Sequence, residues 1–347
     1  MGLPNLSRRD FLEYVSALTL TNCLGSINCL SSTAYYQDDT EIERNKLIEM
    51  YKNAQKPKLT LVKNDGKHRL YSLKPSIIKD GISDHEIIIK YFPAKYFSEK
   101  PNSEEEKPMV IILPMIAGET FVERGLAHFY QQNNLNSAIT DISADYRISI
   151  KRGLEKIEKS GDIEIFVDKF NNVFQQVLFD YMQTLDTILE NESFRTSNIG
   201  AQGISIGGII LTSLIGVDER IKAGISLLAG GNLPEIISNS TEPGIKRERE
   251  KIKKKLKISD EEFKEALRGK IPLDPANLAK YIDSKKMMLF IAGNDSTVPY
   301  KNGIELAERL PKAKVEHLNG LTHYSAIIAM PIIKRKSLKF LEERLKL

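Results

Sequence analysis

From Met109 onward the chain alternates short, unbroken apolar runs with longer stretches of helical period. Val110-Ile-Ile-Leu113 and Lys286-Met-Met-Leu-Phe-Ile-Ala292 carry no polar interruption inside them. Runs of this kind are expected of strands covered on both faces of a sheet. Ser137 to Ile142, Asn198 to Gln202, Ile221 to Leu228 and Lys314 to Leu318 read as further strands. Helical segments fall at Thr120 to Gln132, about Ile165 to Leu189, from near Ile206, at Lys301 to Leu310 and at Tyr324 to Leu345. Strand and helix in alternation predict an α/β protein, a mostly parallel sheet flanked by helices. Ahead of this body, Lys58 to Lys63, His68 to Leu73 and His85 to Phe92 read as strands, with Asn64-Asp65-Gly66 as a turn. Glu41 to Ala54 reads as an amphipathic helix with Ile42, Leu47, Ile48 and Tyr51 on one side.

The alternation breaks between Leu228 and Lys286. Within that stretch Gly244 to Lys257 is basic, and Ser259-Asp-Glu-Glu262 forms a capping-box signature for a helix that Gly269 can close. The lysine run is read as a solvated helix face, and the insertion, about residues 232–280, as a small helical cap over a sheet edge.

Composition narrows the choices of partner. Fifty Lys+Arg against forty-six Asp+Glu leave a net charge of +4, too weak to argue for nucleic acid, and no nucleic-acid-reading motif is present. The two cysteines, Cys23 and Cys29, both precede the body, so no cysteine-based metal site or disulfide framework is expected within it. No cofactor is implied. At the front, Ser7-Arg8-Arg9-Asp10-Phe11-Leu12 resembles the twin-arginine export signal, followed by an apolar stretch from Tyr14 to Leu24. Residues 1–23 are therefore expected to be a signal peptide, and 24–57 a linker and N-terminal helix. Leu20-Thr21-Asn22-Cys23 resembles a lipobox, with Asn22 where a small residue is usual. The implied location is exported, periplasmic or envelope-anchored, with membrane attachment through a lipid on Cys23.

The strongest chemical signal is Gly203-Ile204-Ser205-Ile206-Gly207, entered from an apolar strand and left by the apolar helix Ile209 to Ile215. Strand, tight turn and helix around G-x-S-x-G form a nucleophile elbow, which lifts a serine hydroxyl above the sheet edge. A serine needs a base. Of the five histidines, His68, His85 and His128 precede the elbow inside predicted elements, and His317 lies within a short strand. His323 follows that strand in a loop, where ligand chemistry gathers in open α/β sheets. It is the expected base, ahead of His317. The orienting acid is expected at Asp295, the sole carboxylate in Gly293-Asn294-Asp295-Ser296-Thr297-Val298-Pro299. Asp283 and Glu316 are the reserves. The loop after the Ile221 strand offers only the uncharged Asn232.

The order Ser205, Asp295, His323, the elbow and the acid loop resemble the α/β-hydrolase family, over about Lys58 to Leu347. The resemblance implies eight principal strands, mostly parallel, with the cap inserted after the sixth. It implies an oxyanion hole using the backbone N–H of Ile206. A second N–H would come from the loop Pro114-Met-Ile-Ala-Gly118, with Ile116 favoured over Met115. It further implies hydrolysis of a carboxylic ester through an acyl-enzyme, with a small-molecule or peptide acyl substrate. Serine at the elbow and the absence of Trp argue against dehalogenase chemistry. Two alternatives stay open. One is peptide or amide hydrolysis, in which Glu235 or Asp283 would clamp a free amine. The other is a surface-binding lipoprotein with an inactive scaffold.

Overall fold

The protein is seen in a computed structural model that describes residues 37–79, 82, 84–95, 106–116, 118–141, 163–194, 196 and 198–346. Arg8, Arg9, Cys23, Cys29, most of the acidic loop after Ser98, Ala117 and Ile142 lie outside them.

Among the described residues nine strands make one sheet: β1 (Lys58–Asn64), β2 (Arg69–Lys74), β3 (Ile87–Phe92), β4 (Met109–Leu113), β5 (Asn136–Asp141), β6 (Ile199–Ile204), β7 (Ile221–Leu227), β8 (Met287–Ala292) and β9 (Lys314–Leu318). Their spatial order is β1-β2-β3-β5-β4-β6-β7-β8-β9. The pairs from β5 through β4, β6, β7 and β8 to β9 are parallel, while β1, β2 and β3 pair antiparallel. The count is nine rather than the eight implied by family resemblance. The additional strand is β1, an edge hairpin partner of β2 whose register shifts between Leu61 and Lys63. Setting β1 apart, the cap follows the sixth of the remaining eight strands, as expected. This is the α/β-hydrolase fold.

The unbroken apolar runs explain how the sheet is covered. In β4, Met109, Ile111 and Leu113 face one core while Val110 and Ile112 face the other. In β8, Met287, Leu289 and Ile291 divide from Met288, Phe290 and Ala292 in the same way. Side chains alternate across a strand, so a run without polar positions buries both faces. The first core takes in α1 (Gln37–Lys52), α3 (Ile163–Glu190), α4 (Ile206–Val217) and α9 (Tyr300–Arg309). The second takes in α2 (Phe121–Gln132) and α10 (Met330–Leu345). Each fully buried Leu, Ile or Phe contributes roughly 1.5–3 kcal/mol.

The closing helix differs from the sequence expectation at its start. Ser325–Ala329 form a 3-10 segment, and the α-helix begins at Met330. Pro331 explains the boundary, because a residue without an N–H is favoured in the first helical turn.

The inserted cap consists of α5 (Leu233–Asn239), α6 (Pro243–Leu256), α7 (Asp260–Leu267) and the single turn α8 (Pro275–Leu278). Ser259 and Glu262 close the expected capping box on α7. In α6, Lys246, Lys251 and Lys254 are exposed, whereas Arg249, Ile252 and Leu256 are buried. The latter two pack with Phe263 and Leu267 against Ile163, Phe166 and Val167 of α3, docking the cap on that helix. Asp274 anchors the return to the sheet. Its buried carboxylate accepts from the backbone N–H groups of Asn232 (2.8 Å), Ala276 (2.7 Å) and Leu233. Burial pushes this carboxyl up to about 6, although the three N–H donors pull the other way.

Candidate active site

Ser205 sits between β6 and α4 with φ +56° and ψ −120°. A positive φ is costly for any residue with a Cβ. The turn is held by hydrogen bonds from Ser205 N–H to Leu227 O (2.8 Å) and from Gly208 N–H to Ser205 O (2.9 Å). Two glycines make the close approach possible. A Cβ on Gly203 would lie 2.2 Å from Gly207 O, and one on Gly207 would lie 2.2 Å from Leu113 O. The G-x-S-x-G spacing is thus a packing requirement of this turn.

Asp295 and His323 come from the loops after β8 and β9, neighbours in the sheet. His323 Nε2 lies 3.0 Å from Ser205 Oγ, and His323 Nδ1 lies 2.7 Å from Asp295 Oδ2. The other carboxylate oxygen of Asp295 accepts N–H groups from Thr297 and Val298, both at 2.9 Å. These two bonds fix the carboxylate plane. Asp295 is buried, and the His323 side chain is only 10% exposed, which leaves the hydroxyl end of the chain facing the cavity. An imidazole held this way can take the hydroxyl proton as the oxygen attacks a carbonyl, while the carboxylate steadies the resulting imidazolium.

The reserve residues are placed elsewhere. His317 is exposed on β9. Glu316 pairs with Lys336, and Asp283 accepts from the N–H of Lys285. Asn232 is the N-cap of α5. His85 is buried against Asp180, 2.6 Å from Nε2 to Oδ2, away from this cluster in a structural pair. Among the described residues no group of three or more His, Cys, Asp or Glu side chains is placed to hold a metal ion.

Ile206 occupies the first position of α4, where helix N–H groups have no acceptor within the helix. Ile116 lines the cavity together with Ser205 and Ile206. Met115 directs its N–H to Glu123 Oε1 at 3.3 Å. Sequence reading missed Glu123. This fully buried carboxylate of α2 also accepts the N–H of Thr120 at 2.8 Å and the Thr120 hydroxyl, so it ties the Pro114–Thr120 loop to α2. Burial raises its carboxyl above the ordinary range, against those hydrogen bonds. The signal was legible, because Thr120-Phe-Val-Glu123 is itself a capping box.

A cavity of about 420 Å³ opens at Ser205 between α3, α4 and the cap. The cap, docked on α3, thus contributes a wall to the site.

No known family description matches the sequence, and no curated protein matches it either. Solved structures do share the fold. An acetyl xylan esterase from a Paenibacillus species superposes with a TM-score of 0.63 at 16% identity, covering 90% of this chain and 96% of that one. Acetyl xylan esterase 1 from a Thermoanaerobacterium species gives 0.59 at 14%, covering 87% and 95%. An acylaminoacyl peptidase from Pyrococcus horikoshii gives 0.54 at 15%, covering 86% of this chain but 43% of that longer one.

Proposed function

We propose that this protein is a serine hydrolase that cleaves a carboxylic ester through an acyl-enzyme. The observation that carries the reading is the continuous chain Ser205 Oγ, His323 and Asp295, at 3.0 and 2.7 Å, on a strained elbow at the mouth of a cavity. In this reading Ser205 attacks the acyl carbon and His323 takes its proton, then returns it to the leaving alcohol. Water, activated by the same imidazole, releases the acid. The backbone N–H groups of Ile206 and Ile116 hold the oxyanion. Met115 is the second choice for the loop donor, as the family resemblance ranked it. Similar structures named as acetyl xylan esterases support ester over amide.

Hydrolysis of peptides with a free amino terminus is the less supported variant. Glu235, the clamp considered for it, is bound by Lys264 (2.5 Å) and Lys301. Burial works against its charge, but the two lysines prevail and hold its carboxyl below the ordinary value. The export and lipid-anchor reading rests on the sequence from Ser7 to Leu24, with Arg8, Arg9 and Cys23 at its centre. We propose it as the protein's route to the envelope, and a precursor retained in the cytoplasm when both arginines become lysine is its test.

The direct test of the ester reading is labelling by a fluorophosphonate together with turnover of a p-nitrophenyl ester. Ser205→Ala should abolish labelling and lower turnover by ~10³-fold or more. Labelling that survives this substitution removes Ser205 from the chemistry.

A further inference from the structure

We infer that the acyl group accepted at Ser205 is an aliphatic chain on the order of eight to twelve carbons, at ~30 Å³ for each methylene-sized group. The inference rests on the ester reading above and goes further by naming the substrate class. The cavity beside Ser205 measures about 420 Å³, room for roughly a dozen such groups. An acetyl group would occupy its mouth and leave the remainder bare.

The lining is apolar in a directed way. Phe166, Phe170 and Phe174 recur every fourth residue on α3 and so share one face of that helix. Opposite them stand Ile236 of α5 and Ile245 and Ile252 of α6. The lining also includes polar side chains, but most of them are occupied within the protein. Tyr181 shares its hydroxyl with Thr140 at 3.2 Å. Arg249 donates to Ile237 O and Ser240 O, both at 3.0 Å. Glu242 accepts the N–H of Ile245 at 2.6 Å, and Arg247 pairs with Glu248 at 3.1 Å. A hydroxyl-rich acyl group entering here would lose hydrogen bonds to water and gain few in exchange. An alkyl chain loses none, and each methylene it buries favours binding by up to ~4-fold.

The cap is what gives the cavity its depth. Ile245, Ile252 and Phe263 belong to the stretch between β7 and β8, and they close the space against α3. The insertion is therefore a selectivity element, with its lysines outside and its isoleucines toward the acyl chain.

The experiment is a series of p-nitrophenyl esters from acetate to dodecanoate, kept below their aggregation limits, with the full chain. We expect kcat/KM to rise ~2- to 4-fold per methylene and to peak between octanoate and dodecanoate, at least ~10²-fold above acetate. Val173→Phe, which adds bulk on the cavity face of α3, should move the peak about two carbons shorter, because the larger side chain takes up space the acyl chain would fill. Should that variant fail to fold, the wild-type profile decides alone. A profile that peaks at acetate or butyrate, yet vanishes in Ser205→Ala, overturns the chain-length inference and leaves the ester reading standing. No turnover at any length, with no fluorophosphonate labelling, overturns both.

Discussion

Replacing Gly207 by alanine asks whether the nucleophile and the oxyanion loop form one rigid unit. Gly207 is the second residue of α4, and an added Cβ would sit 2.2 Å from Leu113 O and 2.6 Å from Pro114 O. Non-bonded heavy atoms are comfortable near ~3.5 Å, so α4 and the end of β4 must separate by about 1 Å. Both contacts are with backbone, and no side-chain rotation relieves them. The loop that carries Ile116 leaves β4 at this point, so it moves away from Ser205 by a similar amount. A misplacement of ~1 Å costs ~10²-fold in rate where donors are held in advance of the reaction. Overpacking of this kind also lowers stability by ~1–3 kcal/mol. The assay is kcat/KM on the best p-nitrophenyl ester, measured beside the thermal midpoint and the rate of fluorophosphonate labelling. If Gly207→Ala keeps kcat/KM within about threefold of wild type, the rigid-unit argument is wrong, whatever happens to the midpoint.

Three further outcomes are expected. Asp295→Asn should retain the fold and lower kcat by ~10⁴-fold, because an amide favours the wrong imidazole tautomer; a loss of only a few-fold would acquit Asp295. Asp274 should make stability fall as pH rises. Its carboxyl is held up to about 6 in the fold against 3.8 in the open chain, so the folded state keeps a proton that the unfolded state has already released. That contribution is complete below about pH 4 and lost as pH passes through about 6, at most ~3 kcal/mol. Between pH 4.5 and 7 the urea midpoint of wild type should therefore fall relative to that of Asp274→Asn, and a difference independent of pH would count against the shift. Gly125→Ala, inside α2, should stabilise by ~0.5–1 kcal/mol, because an added Cβ meets only the Lys334 ammonium at 3.5 Å; a lowered midpoint would contradict it.

Much of the candidate site was legible because its residues obey local rules. Gly203 and Gly207 are spaced by the collision each avoids, and that spacing survives in the sequence as a motif. Asp295 and His323 lie just past predicted strands, so they were picked as candidates once Lys286–Ala292 and Lys314–Leu318 were read as strands. Glu123 escaped notice because its capping-box spacing marks a helix start without showing that the Pro114–Thr120 loop lies across the carboxylate. The phenylalanines of α3 went unremarked for a similar reason. Helical spacing reveals a shared apolar face but not whether that face meets another element or a cavity. The start of α10 was missed by a few residues, where Tyr324 to Ala329 have helical composition and Pro331 sets the boundary.

The outermost strand bears on how the molecule keeps apart from its own copies. β1 has a paired side toward β2 and, among the described residues, no strand on its other side. Leu61 and Val62 are exposed there, 52% and 57%. A flat edge of that composition would invite a second sheet to add on. The register shift at Val62 interrupts the row of outward backbone groups, and Lys58 and Lys63 flank it with charge. Two such edges brought together would have to strip water from four lysines and match two kinks. The hairpin therefore ends the sheet chemically, and smoothing Val62 into register would turn a guarded margin into an adhesive one.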